Sequence, residues 1–354
     1  PKFTLDFEFR DDNVLRGRIA VLIGKNGCGK TSSLAKLARG LVDLKSRSAT
    51  IDERPEVNQV LAFAHTASLP LFLPSSRSAG SARVRVFSLD PLTSRRPRRE
   101  ESDTRLLVDI ARSHDSDGGP SLNYLRSILD EEFSSLKVYV PVKADTYATY
   151  SLKDGEDYRS LRDWMRGGEQ RQLESAAELD HSRGLIYLDD DLRPRKPSLG
   201  QLTFVRFVLT ALANAGPASV FVIDEPENFL HPNLISRFMR VLHRLLTSTQ
   251  SVAVLATHSP YVVREVQSSQ VHVLRPTEDG GIAISKPLLQ TLGANVASVS
   301  SEVFGDDTPD HLYQDLVAEA QTAGLTFEQA LECYANDLST EALMLLRSRI
   351  EGQS

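Results

Sequence analysis

Cysteine is scarce in this chain of 354 residues, which contains only Cys28 and Cys333. Cys28 lies inside a glycine-rich segment, so we expect no structural disulfide and a reducing, cytoplasmic compartment. No apolar run approaches the ~20 residues that a helix needs to cross a bilayer. Residues Pro1–Arg10 do not resemble a secretory signal. We therefore expect neither a disulfide-stabilised scaffold nor a membrane partner.

Other chemistry is missing as well. The sequence has no cluster of cysteine and histidine with the spacing of a zinc site, and it has no recognisable nuclease motif. Between residues 75 and 194 there are no sustained heptads, so a long coiled-coil arm is not expected. Asp189-Asp190-Asp191 lacks the companion histidine or glutamate of a metal site, which favours a turn there.

The charge balance argues against one class of partner. The formal net charge is −6, which does not suit a protein that coats nucleic acid over its whole surface. A local cluster at Arg95–Arg99 could still contact DNA phosphates, and a solvated loop explains it equally well. With 41% hydrophobic and 25% charged residues, the composition is that of an ordinary soluble globular protein.

A phosphate-binding loop is the clearest motif that is present. Gly24–Thr31 fits the pattern G-x-x-x-x-G-K-[ST], with the apolar run Ile19–Ile23 before it and a helix-compatible stretch after it. Such a loop turns backbone N–H groups toward phosphates at a helix N-terminus. Lys30 would reach the β- and γ-phosphates of ATP, and the Thr31 hydroxyl would bind Mg²⁺. The predicted nucleotide-binding residues are Asn26, Gly27, Cys28, Gly29, Lys30, Thr31 and Ser32, and Lys30 also counts as catalytic.

Two later strands end in residues that suit the same chemistry. Ser219–Glu225 is an apolar run closed by two acids, the Walker B pattern, in which Asp224 would hold Mg²⁺ and Glu225 would polarise the attacking water. Val252–His258 is a second such run, and His258 would sense the γ-phosphate. The non-catalytic alternatives are two solvated acids and a structural histidine, but the phosphate loop upstream favours the catalytic interpretation.

A third segment lies about 25 residues before Asp224. Ser198-Leu199-Gly200-Gln201 opens a helix-compatible stretch, with Ser198 near a capping position. A helix N-terminus with a hydroxyl and a glycine can bind an anion. The segment is typical of an ABC-type signature, and its predicted ligand-binding residues are Ser198, Gly200 and Gln201.

The order of these motifs resembles the ABC ATPase superfamily. Asp224–Pro232 has the D-E-P-E-x-x-L-H-P form, and Thr257–Val266 contains T-H-S-P-x-x-[IV], both similar to the non-transporter branch of anti-phage defence and overcoming-lysogenization-defect-like ATPases. Leu292–Val296 and Glu302–Gly305 resemble the C-terminal region of the PtuA ATPases of Septu systems and retrons. The resemblance covers residues 1–70 and 195–310.

The resemblance implies a homodimer that closes around ATP and Mg²⁺, with Ser198 and Gly200 of each copy on the nucleotide of the other. It also implies an HNH-type nuclease subunit as partner, and a retron reverse transcriptase with its RNA and DNA as a further one. Two departures stand out. Leu199 replaces a small residue, and no glutamine follows the strand Val60–Ala64: Gln59 precedes it, and His65 or Ser68 is better placed.

We therefore predict an α/β fold, a P-loop ATPase head with a mixed sheet flanked by helices. The core would comprise residues 1–74 and 195–290. Residues 75–194 would form a helical and loop lobe, with helices at Thr104–Arg112, Leu122–Leu136 and Ser160–Leu179, and residues 291–354 a helical extension. Lys2–Arg10 alternates apolar and charged residues, as a half-exposed strand does.

Two functions follow from these motifs. The first is an ATP-hydrolysing subunit that controls a nuclease in an anti-phage complex. The second is a DNA-repair or recombination ATPase that resembles chromosome-maintenance heads and has no toxic partner. The missing coiled-coil arm weighs against the second, and the D-E-P-E form weighs against a transporter subunit.

Overall fold

The computed structural model describes residues 3–9, 17–43, 50–52, 55–73, 83–90, 102–112, 122–133, 136–166, 176–304, 312–334 and 337–351. The chain divides into two compact units, Pro1–Val303 and Phe304–Ser354. Residues 291–303, which the sequence pattern groups with the C-terminal extension, fall in the first unit.

A seven-stranded sheet organises the first unit. Its strand order is β12-β11-β1-β10-β9-β2-β3, and every neighbouring pair is parallel except β11 and β12. The inner strands read as continuous apolar runs because both faces of the sheet are covered. The strands are β1 Ile19–Gly24, β2 Gln59–Ala64, β3 Arg83–Ser88, β9 Ser219–Asp224, β10 Val252–Thr257, β11 Val271–Pro276 and β12 Ile282–Ser285.

Helices cover the two faces of this sheet. Helix α1, Lys30–Val42, packs its apolar side on one face, where it meets the small side chains of alternate strand positions. The opposite face carries an aromatic stack. The Phe63 ring lies 5.0 Å from the Phe207 ring and 6.1 Å from the Phe221 ring, centroid to centroid. Phe207 belongs to α6, Leu199–Asn214, and its ring in turn lies 4.4 Å from that of Phe238 in α7, Pro232–Ser248.

Shorter elements complete the first unit's core. They are α2 Leu69–Phe72, α8 Pro260–Val263, a 3-10 turn at Ser268–Gln270 and α9 Val296–Phe304. None of the helices that the structure describes is long and apolar enough to cross a membrane.

The lobe between the phosphate loop and α6 contains a sheet as well as helices. Helices α3 Asp103–Arg112 and α4 Leu122–Glu132 agree with the prediction. A second sheet of order β5-β6-β4-β7-β8 is antiparallel throughout and was not predicted. Its strands are β4 Lys137–Pro141, β5 Tyr150–Ser151, β6 Asp157–Ser160, β7 Ile186–Leu188 and β8 Pro194–Arg195, and α5 Leu161–Trp164 follows β6.

The helix predicted over Ser160–Leu179 is wrong at both ends. Ser160 ends β6, and its side chain caps the short helix α5 by accepting a hydrogen bond from Asp163 N at 3.2 Å. Leu179 forms an isolated antiparallel bridge with Val142. At these two positions, pairing with β4 and with the residue that follows it overrides the helical periodicity of the segment, whose residues 167–175 lie outside the described residues.

The acidic triplet forms a turn, as predicted. Asp189 N donates to Arg193 O at 3.0 Å, and Leu192 N donates to Asp189 O at 3.0 Å, which closes the hairpin between β7 and β8. The Asp189 carboxylate also accepts a hydrogen bond from Arg195 Nε at 2.8 Å.

The two ends of the chain differ in how well they match the prediction. Residues 3–9 show the predicted alternation of burial but form no ladder-paired strand. Two of their carbonyls are instead bound by side chains: Gln270 Nε2 donates to Glu8 O, and His272 Nε2 lies 2.6 Å from Asp6 O.

The second unit consists of helices, as predicted: α10 Leu312–Thr322, α11 Phe327–Tyr334 and α12 Thr340–Glu351, packed around Ala320, Ala330 and Leu346.

Candidate nucleotide site

The motif residues meet at one edge of the central sheet. Strands β1, β10, β9 and β2 are adjacent and parallel, so their carboxyl ends lie side by side. In an open α/β sheet this edge forms the ligand crevice. The residues that follow the four strand ends are Gly24–Thr31, His258, Asp224–Glu225 and His65.

The phosphate loop adopts the conformation that its glycines permit. Gly27 and Gly29 have φ angles of +82° and +84°, and Gly29 is the N-cap of α1. The Lys30 side chain lies back across the loop, and its Nζ donates to Gly24 O at 2.8 Å and to Lys25 O at 3.2 Å. These are weak partners compared with a triphosphate, whose negative charge an ammonium binds more strongly.

The two predicted magnesium ligands contact each other. Thr31 Oγ1 donates to Asp224 Oδ1 at 2.9 Å, which joins the start of α1 to the end of β9. Burial raises the pKa of Asp224, although hydrogen bonds from Thr31 and Ser68 work in the opposite direction. A hydroxyl and a carboxylate side by side are the oxygen donors that Mg²⁺ prefers, and a nearby cation favours the charged carboxylate.

Glu225 occupies a strained position beside Asp224. Its φ angle of +49° is in the left-handed region, which costs a non-glycine residue on the order of 1 kcal/mol or more. Several contacts hold it there. Its N–H donates to Ala256 O at 2.8 Å, and its Oε2 accepts from Asn228 Nδ2 at 3.0 Å. Its carbonyl oxygen lies 3.0 Å from His65 Nε2.

His65, rather than a glutamine, reaches this site from the end of β2. Its Nδ1 lies 2.6 Å from Asp90 Oδ1, so the ring bridges Asp90 and the Glu225 backbone. Both ring nitrogens therefore face oxygens, one of a side chain and one of the backbone. Burial tends to raise the pKa of Asp90, but hydrogen bonds from Thr66 and His65 outweigh it and hold that pKa below its usual value.

Gln59 has a structural position at the other end of the same strand. Its Nε2 donates to Asn214 O at 2.8 Å and to Ser219 Oγ at 2.9 Å. Ser219 begins β9 whereas Asp224 ends it, so Gln59 lies at the amino end of the sheet, away from the motif residues. Of the alternatives that the sequence left open, His65 and Ser68 are the ones placed at the site.

We expect His65→Ala to slow ATP turnover by about tenfold without weakening ATP binding, because Glu225 loses a contact that fixes its backbone. His65→Gln should recover part of the rate, since its amide can still donate to the Glu225 carbonyl. Phosphate release and ATP titrations on the three proteins test this. An alanine variant that turns over ATP at the parent rate would contradict it.

His258 lies between two carboxylates. Its Nδ1 is 3.1 Å from Glu227 Oε1 and 3.7 Å from Glu225 Oε1. Sequence reasoning identifies His258 and Glu225 but uses Glu227 only as part of a motif. It misses Asp90 and Asn228 as well. Glu227 and Asp90 owe their contacts to strand pairing, whereas Asn228 lies in the same turn as Glu225, three residues along the chain.

The signature segment forms the start of α6. Ser198 caps the helix through a capping box: its Oγ accepts from Gln201 N at 3.2 Å, and its own N–H donates to Gln201 Oε1 at 3.0 Å. Gly200 has no room for a side chain, because a Cβ there would lie 2.5 Å from Phe229 O. Beside it, Leu199 and Phe229 are 42% and 52% exposed.

Comparison with known proteins agrees with this geometry. A family model described as "AAA domain, putative AbiEii toxin, Type IV TA system" matches residues 19–264, well over half of the chain. The chain belongs to this AAA-domain family. It contains a nucleotide-binding ATPase domain of the P-loop type, and the α/β fold predicted from the sequence is confirmed.

Two individual proteins are similar to this AAA-domain chain. Protein ea59 of Escherichia phage lambda is 26% identical over 359 residues, which include 98% of this chain; the chain spans 65% of that relative's length. The SMC head domain from Thermotoga maritima aligns over 30% of this chain and 40% of its own, with 18% identity and a TM-score of 0.24.

Several site predictions stay predictions. The arginine cluster Arg95–Arg99 lies outside the described residues. In the part of the chain that the structure describes, no group of three or more histidine, cysteine, aspartate or glutamate side chains is placed to hold a metal ion. The roles assigned to individual residues of this AAA-domain ATPase, and the narrower likeness to PtuA, rest on the sequence motifs.

Proposed function

We propose that this AAA-domain protein hydrolyses ATP and that two copies close around the nucleotide to control a nuclease subunit of an anti-phage defence complex. The observation that carries the enzymatic part is the convergence of Lys30, Thr31, Asp224, Glu225 and His258 at one sheet edge. Phosphoryl transfer requires mainly positioning and charge stabilisation, and these are the groups that provide both.

Each residue has a part in the proposed reaction. Lys30 leaves its carbonyl partners to neutralise the β- and γ-phosphates, and His258 binds the γ-phosphate. Glu225 orients the attacking water and takes up its proton. Thr31 and Asp224 would hold Mg²⁺, which supplies neutralising charge at the phosphates.

The proposed homodimer rests on the surface around the signature. Leu199 and Phe229 are large apolar side chains that stand exposed beside the N-terminus of α6. A second copy that brings its phosphate loop to Ser198 and Gly200 would bury them. The rate of ATP hydrolysis would then depend on how closely Leu199 allows the two copies to approach each other.

We expect Leu199→Glu to weaken ATP-dependent dimerisation by roughly two orders of magnitude, because the interface would bury an unpaired charge. Leu288→Glu is the matched control, since Leu288 is 92% exposed and lies outside the signature region. Light scattering with ATP and Mg²⁺ measures the effect. A parent that stays monomeric with ATP would contradict the dimer, and equal loss in both variants would contradict this interface.

The defence role is supported by the D-E-P-E-x-x-L-H-P and T-H-S-P segments and is tested in cells. Expression with the products of adjacent genes should protect against phage, and the Lys30→Ala variant should not. Affinity purification of this chain should retain an HNH-type nuclease. A chain that purifies alone, with neighbouring genes unrelated to any nuclease or reverse transcriptase, would refute the proposal; DNA-stimulated hydrolysis by the isolated chain would favour the repair alternative.

A further inference from the structure

Glu227 is a buried acid that the proposed reaction does not use. Its side chain is 5% exposed, although it lies only two residues beyond Glu225. A carboxylate in such a place is costly unless the surrounding groups compensate it. Its contacts therefore indicate what it is for.

One oxygen of Glu227 ties the end of β9 to the end of β10. Its Oε1 accepts hydrogen bonds from Thr257 Oγ1 at 2.6 Å and from His258 N at 2.8 Å. The Thr257 hydroxyl in turn accepts from Ser259 N at 2.9 Å. The backbone that carries His258 is thus fixed to the turn that carries Glu225.

The same oxygen also faces the His258 ring. Nδ1 of the ring lies 3.1 Å from Glu227 Oε1, inside the 3.7 Å that separates it from Glu225 Oε1. This approach is not a hydrogen bond, because Nδ1 has no hydrogen-bond partner among the described residues. Glu227 therefore acts on His258 through the backbone hydrogen bond, which places the ring beside the carboxylate.

We propose that Glu227 is the positioning residue of His258: through Thr257 and the His258 N–H it anchors the backbone that carries the ring. The advantage of this arrangement for hydrolysis rests on the proposed function, but the arrangement itself does not.

The second oxygen of Glu227 provides a clean variant. Oε2 is buried and has no hydrogen-bond partner among the described residues. Glu227→Ala removes the anchor, whereas Glu227→Gln keeps the volume and an oxygen that can accept from Thr257 and His258 N. Glu265→Gln is the matched control, because Glu265 accepts a hydrogen bond from Ser236 Oγ at 2.7 Å instead of contacting His258.

The first readout is the backbone amide of His258. In protein labelled with ¹⁵N-histidine and free of nucleotide, the His258 signals are assigned by their loss in His258→Ala. We expect the His258 amide proton signal to move upfield in Glu227→Ala, which lacks the acceptor, and to stay near its parent position in Glu227→Gln and Glu265→Gln. An unchanged His258 amide signal in Glu227→Ala, or an equal shift in Glu265→Gln, would overturn the proposal.

The second readout is turnover. Glu227→Ala should lower kcat on the order of tenfold to a hundredfold with KM nearly unchanged, and Glu227→Gln should recover most of the rate. Glu227→Ala/His258→Ala should be no slower than His258→Ala alone. Independent, multiplying losses would overturn the proposal. A parent that binds ATP without hydrolysing it would contradict the proposed function, while the amide spectra would still decide on Glu227.

Discussion

Lys30→Ala is expected to abolish ATP binding, with an affinity loss of about a hundredfold or more. Lys30 is only 4% exposed, and its ammonium lies inside the loop that would cradle the phosphates. Charge-assisted hydrogen bonds to phosphate contribute about 1.5–3 kcal/mol each, and this side chain would supply at least one directly to the triphosphate. Titration of the purified protein with ATP and Mg²⁺ in a calorimeter measures the loss.

Lys36→Ala is the control for the removal of a lysine from the same helix. Lys36 also belongs to α1, but its side chain is exposed and lies outside the core cluster. It should bind ATP as the parent does, which excludes a general effect of net charge. If Lys30→Ala binds ATP within about threefold of the parent while remaining folded, the nucleotide lies elsewhere and the assignment of the loop is wrong.

The part of the site that the sequence predicted is the part fixed by local pattern. Apolar runs indicate β1, β9 and β10, because a parallel strand that is covered on both faces carries apolar side chains along its whole length. The residues that follow such strands must meet at one sheet edge, so the sequence alone groups Thr31, Asp224 and His258. The cap at Ser198 is also predictable, since a capping box involves residues only three apart.

The part that was missed depends on pairing between distant segments. Asp90 reaches His65 because β2 and β3 are in register, with Ala64 opposite Ser88. Strand β3 was not predicted, although Arg83–Ser88 has the period-two alternation that could have identified it. Strands β4 to β8 are short, and short strands depend more on their neighbours than on intrinsic preference.

Gly200 illustrates the same limit at a single residue. The sequence marks it as part of a signature, and helix geometry alone would tolerate an alanine there. In the structure, a Cβ on Gly200 would lie 2.5 Å from the carbonyl oxygen of Phe229, in the turn that follows the Walker B strand. Close packing between α6 and that turn is a tertiary fact, and no local pattern in the sequence reports it.

Glu225→Gln should reduce ATP hydrolysis by about 10²- to 10⁴-fold while ATP stays bound, because the amide cannot take a proton from the attacking water. The substitution keeps the side-chain volume and an oxygen that can accept from Asn228, so the left-handed backbone at Glu225 should persist. ATP that is bound but not consumed should hold the two copies together. Phosphate release and light scattering with ATP and Mg²⁺ measure both effects on one sample.

Phosphate release tests whether Glu225 is the base, and light scattering tests whether two copies close around ATP. Glu278→Gln removes the same charge from an exposed turn and should change neither hydrolysis nor assembly. If Glu225→Gln hydrolyses ATP as fast as the parent, Glu225 does not act as the base. If hydrolysis stops but the protein remains a monomer with ATP bound, Glu225 keeps its role and the closure of two copies around ATP is refuted. A stable dimer that forms only with ATP would make the phosphate loop of one copy and the signature of the other two halves of one site.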